Sequence, residues 1–213
     1  MTKMNIYFDT EFTGLKKDTT LVSIGLVTET GSTFYAEFTD FDQSYNDAWF
    51  KKNVLNNLLL LPTVQNLNKK MKDFFSGKAT DNHEKIADVE VVGTKEGVRT
   101  ALEKWLDNFA YVELHSDVCH YDMVLFIDIF GTAFDLPKNV SSVCHDINAD
   151  IARYYHLTEQ GAFDKNREEI VKELNMKLPS GAKHNSLYDA KVIKLIHYGI
   201  MTASDELEEP LPF

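Results

Sequence analysis

The sequence predicts a single α/β domain over residues 1–213, and three observations carry that prediction. Three β-prone runs follow one another at the N-terminus, at residues 6–8, 21–27 and 32–38. Downstream, helical patterns alternate with short apolar runs, as in chains that pack helices on a sheet. The 213 residues, 44% hydrophobic and 12% aromatic, suffice for one sizeable core, and no linker, repeat or low-complexity tract divides them.

The elements follow in order. Ile6-Tyr7-Phe8 reads as a buried strand, with Asp9 and Glu11 just past its end. Residues 21–27 and 32–38 form a hairpin about Thr30-Gly31, and Gly25 inside a strand pattern signals close approach of a neighbouring element. The spacing predicts a helix over 45–59 with Trp49, Leu55 and Leu59 on its inner face; periodicity leaves 58–61 open between core helix and short strand. A polar helix over 63–75, stopped by Ser76-Gly77, carries most of a basic stretch (Lys69, Lys70, Lys72, Lys78), either a solvated face or a rim for a substrate backbone. Residues 79–85 read as a loop and 86–92 as a strand.

Val98, Leu102, Trp105, Leu106 and Phe109 recur at three and four, predicting a helix over 95–109. A strand over 110–115, a helix over 121–130 ending near Gly131, and a short strand over 141–144 come next. A helix over 148–155 takes Asp146 or Asn148 as its cap. The polar stretch 163–178 has a helical centre at 168–174. The last helix starts at Asn185 or Ser186 and runs to about 199, and the acidic tail from 205 is expected to fray.

Charge and cysteine content narrow the function classes. Twenty-two basic against 33 acidic side chains give a net charge of −11, which argues against a protein passively coated in nucleic acid. An enzyme holding a short strand by metals and a local basic rim stays within reach. Two cysteines, Cys119 and Cys144, exclude a disulfide scaffold. No secretory leader and no membrane-length apolar run occur, so a cytoplasmic protein is expected.

The chemistry concentrates in carboxylates. Asp9 and Glu11 are two apart, so on an extended backbone they share one face. Two like charges so placed call for a cation, and Mg²⁺ or Mn²⁺ favours carboxylate oxygen. Asp122 opens one helix and Asp189 lies in the first turns of the last, while His184 precedes Asp189 by five residues. Each alone reads equally well as a cap, a dipole complement or a surface residue. Together they are the inventory of a two-metal site for displacement at phosphorus, with a histidine able to take a proton at neutral pH.

At this point the spacing resembles a known family. Asp9-Thr10-Glu11-Phe12-Thr13-Gly14-Leu15, Tyr121-Asp122-Met123-Val124-Leu125-Phe126 and His184-Asn185-Ser186-Leu187-Tyr188-Asp189-Ala190 resemble, in order, the three motifs of 3'–5' exonucleases that use four acids and a histidine. The layout is most similar to a small exoribonuclease-like subgroup of bacteria and phages, which would place a phage-encoded chain in its host's cytoplasm. The resemblance implies a ribonuclease H-like mixed central sheet flanked by helices: three antiparallel strands, then two parallel to the first. It implies two Mg²⁺ or Mn²⁺ ions, with Asp9 shared, Glu11 and Asp189 on the nucleophile side, Asp122 on the other, and His184 as general base. Backbone groups of Glu11, Phe12 and Thr13 would meet the terminal sugar, and Phe12 and Leu15 the last base, an aromatic platform that suits any base. The implied substrate is a single-stranded 3' end, RNA favoured over DNA, and a homodimer in which the basic stretch serves a partner's groove.

One departure matters. The usual histidine-asparagine before the second aspartate is replaced by His115-Ser116-Asp117-Val118-Cys119-His120-Tyr121, making Asp117 an alternative acid to Asp122. Two readings of another class also stand: a catalytically inactive exonuclease fold kept for protein contacts, and a zinc-binding module built on Cys119-His120, Cys144-His145 and His115. Adjacent Cys-His lacks the usual two-residue ligand spacing.

Overall fold

A computed structural model describes residues 3–61, 76–77 and 86–207. The predicted 63–75 helix with its lysines, the 79–85 loop and the end of the tail lie outside the described residues. Chain order is β1 (Lys3–Phe12), β2 (Leu21–Thr28), β3 (Thr33–Phe38), α1 (Ala48–Asn53), a 3₁₀ turn (Leu55–Asn57), β4 (Ser76–Gly77), β5 (Val89–Gly93), α2 (Lys95–Leu106) and β6 (Tyr111–Ser116). Then follow α3 (Cys119–Phe130), a second 3₁₀ turn (Ala133–Asp135), β7 (Val140–Asp146), α4 (Asn148–Tyr155), α5 (Glu159–Asp164), α6 (Arg167–Glu173) and α7 (Ser186–Leu207).

These strands form one mixed sheet in the order β4-β5-β3-β2-β1-β6-β7. β1, β2 and β3 are antiparallel in sequence, and β6 and β7 continue parallel to β1, as the motif resemblance implies. β5 adds to the opposite side, parallel to β3. β1 outruns its prediction: Asp9 and Glu11 lie within the strand, paired with Gly25 and Ser23 of β2, and a register shift follows at Glu11/Phe12. The ladder therefore holds the acids' backbone.

Strand alternation divides β1 between two cores. Ile6 and Phe8 join the apolar layer under α2 and α3, with Leu102, Trp105, Phe126 and Phe130. Tyr7 joins the opposite layer, with Ile147 just before α4 and Ile151, Ile170, Ile193 and Ile196 of α4, α6 and α7. Asp9 and Glu11 share the parity of Tyr7, so they face the α7 side.

The predicted 45–59 helix is shorter than expected and turned differently. Asp47 caps α1 by accepting from Phe50 N at 2.8 Å, and Phe50, Val54 and Leu58 are buried against Val22. Trp49 and Leu59, expected inside, are 56% and 53% exposed. Residues 58–60 are neither helix nor strand, because the N–H groups of Leu59, Leu60 and Leu61 donate to the buried Glu37 carboxylate at 2.6, 2.9 and 2.5 Å. Tyr35 O–H donates to the same carboxylate at 2.7 Å. The short α5 had no legible apolar period. α7 passes Gly199 and continues to Leu207.

Gly25 is where α7 meets the sheet. A Cβ there would lie 2.3 Å from Leu187 N and 2.4 Å from Leu187 Cα, both backbone atoms. Beside it Ser23 and Ser186 hydroxyls bond at 2.9 Å. Gly25→Ala must therefore displace the first turn of α7. The expected outcome is destabilisation by about 1–3 kcal/mol or more, measured by urea unfolding; an unchanged midpoint would mean that the two backbones are not locked together.

Candidate active site

The sheet brings the predicted residues to one end of β1 and β6. Asp9, Glu11, Phe12, Leu15, Asp117, Asp122, His184 and Asp189 all line a single cavity of about 450 Å³, together with Lys165, Arg167 and Lys183. Carboxylate oxygens of Asp9, Asp117 and Asp122 lie within 4.8 Å of one another. Ligand atoms of Glu11, His184 and Asp189 form a second such group. Thr13 does not line the cavity: it is buried, its N–H donates to Thr20 O at 3.1 Å, and its hydroxyl accepts from Thr20 N at 3.0 Å.

Asp122 stands on the first turn of α3 and is 1% exposed. Thr10 gives it both its N–H (3.2 Å) and its hydroxyl (2.5 Å), and the Ser116 hydroxyl bonds its other oxygen. Asp117, its alternative, is ion-paired: Arg167 Nε donates to Asp117 Oδ2 at 2.7 Å. The same guanidinium reaches Asn148 Oδ1 at 2.7 Å, and Asn148 Nδ2 donates to Asp117 O at 2.6 Å. Asp117 is thus the neutralised member of the trio, and Asp122 is held by neutral donors alone. Phe12 stacks on Tyr121 with centroids 5.2 Å apart and planes at 16°, and Leu15 projects with 76% exposure.

His184 sits at the entry to α7 with φ +66°, outside the usual region for a side-chain-bearing residue. Its N–H donates to Asp189 Oδ2 at 2.7 Å, while Asn185 Oδ1 caps the helix by accepting from Tyr188 N at 3.2 Å. Asn185 Nδ2 also donates to Tyr35 Oη and Asn57 O, both at 3.0 Å, and Asn57 Nδ2 to Lys183 O at 2.8 Å. The loop is therefore tied to β3 and to the 3₁₀ turn. The imidazole Nδ1 stands 3.9 Å from Glu11 Oε1, and Trp49 packs edge-on against the ring at 4.9 Å.

The electrostatics are those of crowded anions. Burial, then Asp122, Asp189 and Glu11, raises Asp9 well above the carboxylate range. Burial, then Asp189 and Asp122, does the same to Glu11. Burial pushes Asp122 and Asp189 from 3.8 up to about 7, against the lowering effect of their hydrogen bonds. His184 is lowered by burial and then by Lys183, which favours the neutral, proton-accepting imidazole. Oxygen donors in two adjacent groups, with their negative charge incompletely offset, fit a pair of hard divalent cations.

Arg167, Ser116, Thr10 and Trp49 escaped sequence reasoning. Trp49 was visible only as an apolar residue and was assigned to the core. Arg167 lies in a polar stretch without a motif, and its role depends on α6 folding back beside β6.

A mixed sheet with acids at the end of its first strand, and a histidine and an acid entering a C-terminal helix, defines the exonuclease class of the ribonuclease H-like fold. Solved structures share that fold: the nuclease domain of 3'hExo, a DEDDh family member, bound to rAMP (TM-score 0.61, 14% identity, 99% of this chain and 96% of that one). A 3'-exonuclease studied for 3'-end-specific recognition of histone mRNA stem-loop matches with TM-score 0.60 and 13% identity over 95% and 64% of the chains. A full-length 3'-exonuclease matches with TM-score 0.57 and 14% identity over 96% and 83%. No curated protein matches the sequence significantly. The profile of the family described as 3'-5' exoribonuclease Rv2179c-like domain matches residues 4–200, and the chain belongs to that family.

The raised carboxylates set the pH response. An acid with a raised folded-state pKa keeps its proton when the unfolded chain has already lost it, so it lowers stability as pH rises from about 4 through about 7. Metal-free Asp189→Asn protein is therefore expected to gain stability over the parent between pH 5 and pH 8, by several degrees in Tm at pH 8, and saturating Mg²⁺ to narrow the gap. A difference independent of pH would remove the crowding argument.

Proposed function

We propose that this chain is a divalent-metal-dependent 3'–5' exonuclease that removes nucleoside 5'-monophosphates from single-stranded RNA ends, of the compact kind found in bacteria and phages. The convergence of Asp9, Glu11, Asp122, His184 and Asp189 on one cavity carries the reading. Mg²⁺ or Mn²⁺ held by Asp9 with Glu11 and Asp189, and by Asp9 with Asp122, would supply the positive charge that stabilises the entering and departing oxygens of an in-line displacement. His184 takes the proton of the attacking water, and Glu11 at 3.9 Å favours the resulting imidazolium. Water oxygen bonds to the terminal phosphorus, the bond to the preceding 3' oxygen breaks, and that oxygen leaves as the new 3' hydroxyl once protonated. Phe12, backed by Tyr121, and the exposed Leu15 offer an apolar face to the last base. Lys183 supplies a cation for the phosphates on a chain whose net charge is −11, whereas Arg167 is held by Asp117 and Lys165 by Glu173.

Membership of an exoribonuclease-type family favours RNA, as do neighbours of the fold described with rAMP and with histone mRNA. DNA is the alternative substrate. Among the described residues no helix is long and apolar enough to cross a membrane.

The test is digestion of 5'-labelled RNA and DNA oligomers with Mg²⁺, Mn²⁺ or EDTA. Laddering from the 3' end of RNA, abolished by EDTA and by Asp9→Asn, is expected. His184→Ala should lower kcat by about 10²–10⁴ with metal binding retained. Asp122→Asn should cost more activity than Asp117→Asn, since Asp117 is already neutralised by Arg167. No laddering of either polymer with either metal would refute the proposal.

A further inference from the structure

The sheet face that carries Asp9 and Glu11 also carries a second cluster, of different chemistry. Register sets Tyr7 of β1 beside His115 of β6, and His115 beside His145 of β7. His197 joins them from α7, eight residues and roughly 12 Å along the helix from Asp189. The three imidazole centroids lie 4.9, 5.0 and 5.5 Å apart, and one ring nitrogen of each falls within 4.8 Å of the others. Asp150 of α4, buried, borders the group: its Oδ2 is 2.5 Å from His145 Nε2, a hydrogen bond, and 3.8 Å from His197 Nε2.

Hydrogen bonds already orient the rings. His115 Nε2 faces Asn5 Oδ1 at 3.2 Å, which leaves its Nδ1 buried and without a hydrogen-bond partner among the described residues, on a side chain only 5% exposed as a residue. A buried polar nitrogen with no partner is costly, and a ligand would relieve it. His197 Nδ1 bonds Tyr7 Oη at 2.9 Å, leaving Nε2 for the cluster. Fixing one ring nitrogen from outside so that the other points inward is how metal-binding histidines are positioned.

We propose that His115 Nδ1, His197 Nε2 and a ring nitrogen of His145 form a site for one borderline divalent metal, Zn²⁺ by preference, separate from the carboxylate centre, with Asp150 beside it as a hydrogen-bonding carboxylate. Three imidazole nitrogens are the donor set of a tetrahedral zinc site whose fourth position is open to water. Zn–N bonds of 2.0–2.1 Å in a tetrahedron place imidazole centroids about 5 Å apart, the spacing the rings already have. Burial, then His197 and His145, drives His115 down to about 3, so it stays neutral. The neighbouring cysteines take no part: Cys119 and Cys144 Sγ face each other at 2.9 Å, and His120 packs on Tyr121 and Phe163. Bound metal would tie α4 and α7 to the β6–β7 edge, and of these α7 carries Asp189, Val192 and Ile193 of the cavity wall.

The test uses untagged full-length protein carrying Asp9→Asn and Asp189→Asn, which removes ligands of the carboxylate centre. Titration with Zn²⁺ alone, in competition with a chelating dye, is expected to give one equivalent at submicromolar Kd and to raise Tm; Co²⁺ should give the visible absorption of a tetrahedral site. His145→Gln and His197→Gln should each weaken Zn²⁺ at least 100-fold and abolish the Tm rise. His145 is 43% exposed at its side chain and is the variant that decides if His197→Gln fails to fold. Absence of Zn²⁺ binding in the parent protein, or binding indifferent to His145→Gln, would overturn the site.

Discussion

Crowded negative charge is the constraint around which this molecule is built. Burial first, and then Asp122 and Asp189, raises the carboxyls of Asp9 and Glu11, burial raises Asp122 and Asp189, and without fixed positions these groups would swing apart into water. Each is held by structure that costs little to maintain once the sheet has formed. Asp9 and Glu11 are locked in a ladder with β2, Asp122 is gripped by Thr10 and Ser116, and Asp189 accepts the His184 N–H. The last of these depends on where α7 begins, and that is set by backbone-to-backbone contact at Gly25.

A second buried carboxylate shows what a relieved one looks like. Glu37 is fully buried, yet three backbone N–H groups and Tyr35 satisfy it. Burial, then the adjacent Glu37 charge, raises the Tyr35 phenol, which keeps it protonated and able to donate. Tyr35 in turn accepts from Asn185, whose carbonyl oxygen caps α7 one residue after His184. The path from β3 to the candidate base is thus a chain of satisfied polar groups. It explains how a residue at positive φ keeps a defined place on a loop.

How far this was legible from residues alone depended on the range of the interaction. Strand alternation predicts that Asp9 and Glu11 share a face, and helical spacing finds α2 and α3 within a few residues and the start, but not the end, of α7. Gly25 announced a close approach without naming its partner. What escaped was carried by long-range polar contacts: Glu37 drawing residues 58–60 out of regular structure, and Arg167 neutralising Asp117 from 50 positions away. Trp49 was misplaced for a related reason. Its short helix seats on Phe50, with Val54 and Leu58 packed beyond its end, so amphipathic spacing over a longer expected helix points to the wrong face.

Along β1 the residues of one parity, Asn5, Tyr7, Asp9 and Glu11, pass from amide to phenol to carboxylate on a single sheet face. The donors they meet change with them: imidazoles around Asn5 and Tyr7, oxygen and His184 around Asp9 and Glu11. Hard cations such as Mg²⁺ favour the second environment and borderline ones such as Zn²⁺ the first, so the two proposed sites differ in the metal their donors favour. Tyr7 is the divider. Burial, then Glu29 and Asp150, pushes its phenol up to about 12, so it stays uncharged between the two groups. A neutral hydroxyl bonded to His197 separates them without adding another anion to a face that already carries more than it can hold unaided.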